Sequence, residues 1–183
     1  MRILTAISIL LFYSCDNTTL PKQKGYFAPE FYKPQYKPIE TVCDNSFIKN
    51  KDSKINFFNN CNYEIVYNKI NAKIYINNIK LDNNFQSASM KFDEKIFNNS
   101  EYADQILTSE YSNISSQTFS RMFLFVGDTP SNIQFYITDS IKNFLSANLY
   151  FNSKPNYDSL LPYIHYIRND IKKMIESFEW NNE

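Results

Sequence analysis

The chain has 183 residues, enough for one domain with a real core and too few for two. Nineteen Lys and Arg balance nineteen Asp and Glu, so no basic field is available to hold nucleic acid. Gly25 and Gly127 are the only glycines, which excludes a glycine-rich phosphate loop.

Arg2 opens the chain with a positive charge, and Ile3–Phe12 is apolar apart from Thr5 and Ser8. A run this short cannot cross a bilayer core that needs ~20 residues, so it reads as a secretory signal. It ends in Ser14-Cys15, a small residue before a cysteine. That pattern resembles a bacterial lipoprotein signal, with Cys15 as the acylated residue; an ordinary signal with an incidental cysteine is the alternative. Several acyl chains on one cysteine anchor stably where a single chain would be marginal. The expected layout is a signal over 1–14, a tether over 15–42 and one globular domain over 43–183. Pro21, Pro29, Pro34 and Pro38 keep the tether extended. Tyr26, Phe27, Phe31, Tyr32 and Tyr36 make it too aromatic for a freely solvated linker, so part of it should lie across the domain.

Cys43 and Cys61 follow. Export places them in an oxidising compartment, where an even pair suggests a disulfide; two reduced, buried thiols are the alternative. With His165, the one histidine, far along the chain, they make a poor metal set, and neither metal nor cofactor is expected.

From Phe47 the pattern is strand-like but interrupted. Ile55–Phe57, Tyr63–Tyr67 and Ala72–Ile76 alternate with a period of two. Phe85, Ala88, Phe92 and Ile96 recur at helical spacing, which predicts a helix from about Asn84 to Phe97, broken at Asn98-Asn99-Ser100. Tyr102–Leu107 reads as a second short turn of helix and Thr108–Ile114 as a weak strand. Phe119–Val126 is apolar on both faces and should be a central strand covered twice.

Ile133, Phe135 and Ile137 alternate with Gln134, Tyr136 and Thr138, as a half-buried strand requires. After a turn at Asp139–Lys142, Leu145, Ala147, Leu149 and Phe151 share one face of a second strand, so the two read as an antiparallel hairpin. Leu160, Ile164, Ile167, Ile171, Met174, Ile175 and Phe178 then form one apolar stripe on a long closing helix. Asp158 or Ser159 can cap it, and Pro162 fits if it lies in the first turn. The whole is an α+β fold, an antiparallel sheet flanked by helices as an α-β-α sandwich.

The residues make a weak case for catalysis. A triad drawn from His165, Asp158 and Ser159 lacks a nucleophile elbow and an oxyanion loop, and the carboxylates are scattered. The Lys154–Ser159 loop stiffens the approach to the helix. Its functional reading is a partner surface of Lys154, Asn156, Tyr157 and Asp158 with Tyr150, joined by Asp139 if the hairpin is short.

Gln134-Phe135-Tyr136, Thr138-Asp139-Ser140, Phe144-Leu145, Leu149-Tyr150-Phe151, Lys154–Ser159 and the Asn169-Asp170 pair occur in order and at matching spacing. The chain resembles the gliding-motility lipoprotein D (GldD) family of the Bacteroidetes, most strongly from Phe119 onward. Pro21, Lys22, Lys24, Gly25 and Tyr26 fit the family's start, whereas Phe27–Phe31 departs from it. The family also carries a cysteine at the places of Cys43 and Cys61. The resemblance implies an envelope lipoprotein needed for gliding motility and tied to type IX secretion, a scaffold and not an enzyme. Its expected place is a membrane facing the periplasm, the outer before the inner, among other motility proteins. A ligand- or glycan-binding lipoprotein is the competing expectation. The fold looks loosely like the PsbP/Mog1 type.

Overall fold

The computed structural model describes residues 29–58 and 61–181; the expected signal over 1–14, Cys15 and the Pro21–Tyr26 stretch lie outside the described residues. The elements run β1 (Tyr36–Glu40), β2 (Asn45–Asn50), β3 (Lys54–Phe57), β4 (Tyr63–Tyr67), β5 (Ala72–Lys80), α1 (Phe85–Ser100), β6 (Gln105–Asn113), β7 (Thr118–Val126), β8 (Ile133–Thr138), β9 (Asn143–Phe151), α2 (Tyr157–Glu176) and β10 (Glu179–Trp180). They form a three-stranded sheet, β1-β2-β10, and a seven-stranded sheet, β3-β4-β5-β9-β8-β7-β6. Every pairing is antiparallel. The α+β expectation, with a long C-terminal helix, is what the chain adopts.

Alternation along the strands sorts the residues into layers. Ala72, Ile74 and Ile76 of β5, Leu145, Ala147 and Leu149 of β9, Ile133, Phe135 and Ile137 of β8, and Met122 and Leu124 of β7 are buried on one face. Across from them lies the stripe Ile164, Ile167, Ile171, Met174 and Ile175 of α2, closed by Phe178. Each such side chain contributes about 1.5–3 kcal/mol of burial. Phe47 of β2 enters the same core, stacked between Tyr63 at 6.4 Å and Phe178 at 6.1 Å. The opposite face carries Ile79, Phe123, Tyr136 and Phe144 beneath Ala88 and Phe92 of α1.

The second layer corrects the reading of β8 as half-buried. Gln134 and Thr138 are 4% and 1% exposed, because the outward face of β8 is itself covered. β7 is next to the end of the sheet and not central; Phe119 is 41% exposed. The helix expected to break at Asn98 continues to Ser100, because Asn99 donates to the Ser131 carbonyl at 2.8 Å and accepts from its N–H at 3.2 Å. The helical turn expected over Tyr102–Leu107 gives way to β6, drawn into register with β7 from Gln105↔Val126 onward.

The cap of α2 is Asn156, whose side chain accepts from the Ser159 N–H at 3.1 Å; it is neither Asp158 nor Ser159. Pro162 is the sixth helical residue, beyond the first turn, and so removes one intrahelical N–H donor. With few glycines, left-handed positions fall to Asp44, Asn71 and Asn83, whose short polar side chains tolerate that region. At Gly127 (φ 124°) a Cβ would come within 3.1 Å of the Asp104 nitrogen and the Tyr102 oxygen, so no other residue fits without a shift.

Candidate functional site

Two turns of α2 carry Tyr163, Tyr166 and Asp170 at spacings of three and four, which stack them on one side of the helix. Asp170 is 4% exposed, yet it sits among the apolar residues of the closing helix. A buried carboxylate is tolerable only when donors surround it. Here they come from three strands. The Tyr36 hydroxyl of β1 donates to Oδ1 at 2.8 Å, and Asn50 Nδ2 of β2 donates to Oδ2 at 2.9 Å. The Tyr67 hydroxyl at the end of β4 completes the set. Asn50 Nδ2 also reaches the Tyr166 hydroxyl at 3.0 Å.

Burial pushes the Asp170 carboxyl above its ordinary value; the hydrogen bonds from Asn50, Tyr36 and Tyr67 and the charge of Lys49 pull the other way. Lys49, 6% exposed, donates to the Asn50 carbonyl at 2.9 Å, to Ser53 Oγ at 3.1 Å and to the Ser53 carbonyl. Its ammonium is held below its ordinary value, first by burial and then by the charge of Lys37. The cluster is a closed polar tie between the small sheet, the large sheet and the long helix.

Beside it opens a cleft of about 190 Å³, lined by Pro29–Tyr32, Asp52, Tyr67, the 3₁₀ turn Asn68–Ile70, Tyr163 and Tyr166. Phe31 stacks on Tyr166 at 4.6 Å and meets Tyr163 edge-on at 5.5 Å. Lys69 Nζ stands 5.8 Å from the centre of the Tyr32 ring and 3.5 Å from Asp52 Oδ2.

A second recess, of about 230 Å³, holds Cys43 and Cys61 with Asn78, Lys80, Phe144 and Trp180. Both cysteines are free thiols. Burial pushes the Cys43 thiol up to about 12, and the neighbouring Cys61 thiol adds to the shift. The Tyr63 hydroxyl and Trp180 Nε1 are buried without a hydrogen-bond partner.

A family model described as gliding motility lipoprotein GldD matches residues 16–180. The chain belongs to the GldD family. No curated protein matches it closely. Asp170, the aromatic cleft and both cysteines fall inside the matched span.

The residues expected to make a partner surface are not all neighbours. Asp139 is 7% exposed and builds a turn: its Oδ1 accepts from the N–H groups of Ile141, Lys142 and Asn143 at 2.8–2.9 Å. Tyr150 is at the far end of β9, some 23 Å of strand from Asn143 at ~3.3 Å per residue. It packs edge-on against Tyr75 at 5.7 Å. Lys154, Asn156 and Asp158 are exposed at the start of α2; Tyr157 is half-buried, and its N–H donates to Asp128 Oδ1 at 2.7 Å. His165 is exposed on α2. Among the described residues, no group of three His, Cys, Asp or Glu could hold a metal ion. Sequence reasoning passed over Asp170 as a site. Its signal was a carboxylate three residues after Ile167 and four before Met174, inside the apolar stripe.

Proposed function

We propose that the chain is a non-catalytic scaffold of the gliding and type IX secretion machinery. Membership in a family of gliding motility lipoproteins carries this reading and implies a place at a membrane of the cell envelope. In our reading Cys15 is acylated, the domain faces the periplasm from the outer membrane, and Cys43 and Cys61 become bridged there. The chemistry of Asp170 supports a structural part: its carboxylate oxygens are taken up inside the fold by donors from β1 and β2. The exposed start of α2, with Tyr150 on the sheet face turned away from α2, is offered as the surface for other motility proteins.

Deleting the gene from the source organism should abolish spreading on agar. The unaltered chain and His165→Ala should restore spreading, and Cys15→Ala should not. Normal spreading of the deletion strain, or loss of spreading in His165→Ala with the protein still present, would defeat the proposal.

The aromatic cleft favours a second reading, a binding site for one small ring. Its ~190 Å³ lies below the 300–1,000 Å³ of sites for whole metabolites, so it fits a single sugar ring or one side chain of a partner. Tyr163→Ala would abolish retention on an envelope-glycan column if the ring is a sugar, and would leave scaffold function intact.

A further inference from the structure

β3 and β6 are the two ends of the seven-stranded sheet. An end strand presents a row of unpaired N–H and C=O groups, and monomers guard it by shortness, lysine, proline or a bulge. β3 is guarded: it has four residues and opens with Lys54. β6 is not. It runs nine residues in unbroken register with β7, without lysine, proline or bulge. Its single charge, Glu110, is drawn back onto Arg121 of β7 at 2.6 Å. Ile106 and Leu107 are 38% and 42% exposed, one on each face. Among the described residues no strand pairs with the outer edge of β6.

We propose that this edge joins a second copy of the chain, β6 against β6, antiparallel about a two-fold axis through Ser109. This register pairs all nine residues, Gln105 with Asn113 through to Ser109 with itself. Leu107, Ser109 and Tyr111 share the face that carries α2, being opposite Leu124, Met122 and Ser120. Leu107 therefore meets Tyr111 of the second copy, an aliphatic–aromatic pair made twice. Glu110 meets Thr108, whereas a parallel in-register pairing would set Glu110 against Glu110. The axis stands along the sheet normal, so both long helices come to one side of the joined sheet. Both Pro29–Tyr32 segments, which rest on α2 through Phe31, come with them. If Cys15 is the anchor, both chains then leave toward one membrane.

The test uses the acylated full chain in detergent. Sedimentation should show a reversible dimer. Ser109→Cys should cross-link to itself, located by peptide mass, and Lys54→Cys on β3 should not. Thr108→Glu places like charges opposite one another twice and should weaken the dimer roughly tenfold, with circular dichroism unchanged. Thr108→Lys should not weaken it, and Thr108→Glu with Glu110→Lys should restore it. An unaltered chain that is monomeric at every concentration overturns the proposal, even if β6 captures another protein's strand. So does a dimer that links through Lys54→Cys or ignores the charge at residue 108.

Discussion

Tyr36 and Asp170 are 134 residues apart, and the hydroxyl of one donates to the carboxylate of the other at 2.8 Å. The bond fastens the first strand of the small sheet to the closing helix. Tyr36→Phe leaves a buried carboxylate oxygen short of a donor and should cost about 1.5–3 kcal/mol, read from the urea midpoint. In a double-mutant cycle with Asp170→Asn, the two changes should be non-additive by about 0.5–3 kcal/mol. Additive effects would mean that the two groups do not act together.

Asp139 should matter through its turn. Three backbone N–H groups converge on its Oδ1. Asp139→Ala orphans them and should destabilise by about 2–3 kcal/mol. Asp139→Asn keeps an acceptor in place and should cost less. Equal losses in urea unfolding would contradict this account.

Two of the buried carboxylates, Asp139 and Asp170, should give acid responses of opposite sign. Burial disfavours the charge of Asp139, but the backbone donors of Asn143, Ile141 and Lys142 outweigh it and hold the carboxyl below its ordinary value. Its contribution is present above the unfolded value and is lost as pH falls through the folded one. Asp170 is held above its ordinary value by burial. The folded chain grips that proton more tightly, so stability falls as pH rises from the ordinary carboxylate range through the folded value of Asp170. Unfolding midpoints against pH should show a shallower lower limb in Asp139→Asn, with Glu64, also held below its ordinary value by the Asn56 hydrogen bond, keeping the rest, and should lose the upper limb in Asp170→Asn.

The thiols Cys43 and Cys61 line one recess, where burial and then the neighbouring Cys61 push the Cys43 thiol up. Chain isolated from the envelope should resist alkylation at both until reduced, as peptide masses would show. Cys61→Ser should then cost about 3 kcal/mol for a loop of this length. Ready alkylation without reductant would show that the bridge does not form in place.

Helix α2 should depend on its cap. Asn156→Ala should destabilise by about 1 kcal/mol, and Asn156→Ser should recover most of it. Thermal unfolding of the three chains decides this, and a loss in both variants would point to a contact other than the cap.

The hairpin β8–β9, the strands β4, β5 and β7 and the stripe of α2 were legible in the residues because local periodicity and the core demand the same side chains. β2 was not. From Phe47 the pattern is only interruptedly strand-like, and Asn45, Lys49 and Asn50 are buried because Thr41, Ser53, Tyr166 and Asp170 supply partners. β6 was misread at its start for a similar reason: Tyr102–Leu107 has no decisive local pattern, and the edge of β7 captures it. The cap moved from Asp158 to Asn156 because several oxygens there could accept, and only backbone geometry selects one.

The order of apolar and polar residues therefore determined the α+β class and the two faces of the strongest strands and of the closing helix, since burial of apolar surface follows that pattern. Tertiary structure decided which polar residues go inside. A buried carboxylate or ammonium is stable only where donors or acceptors from distant segments converge, and chain order does not record that convergence.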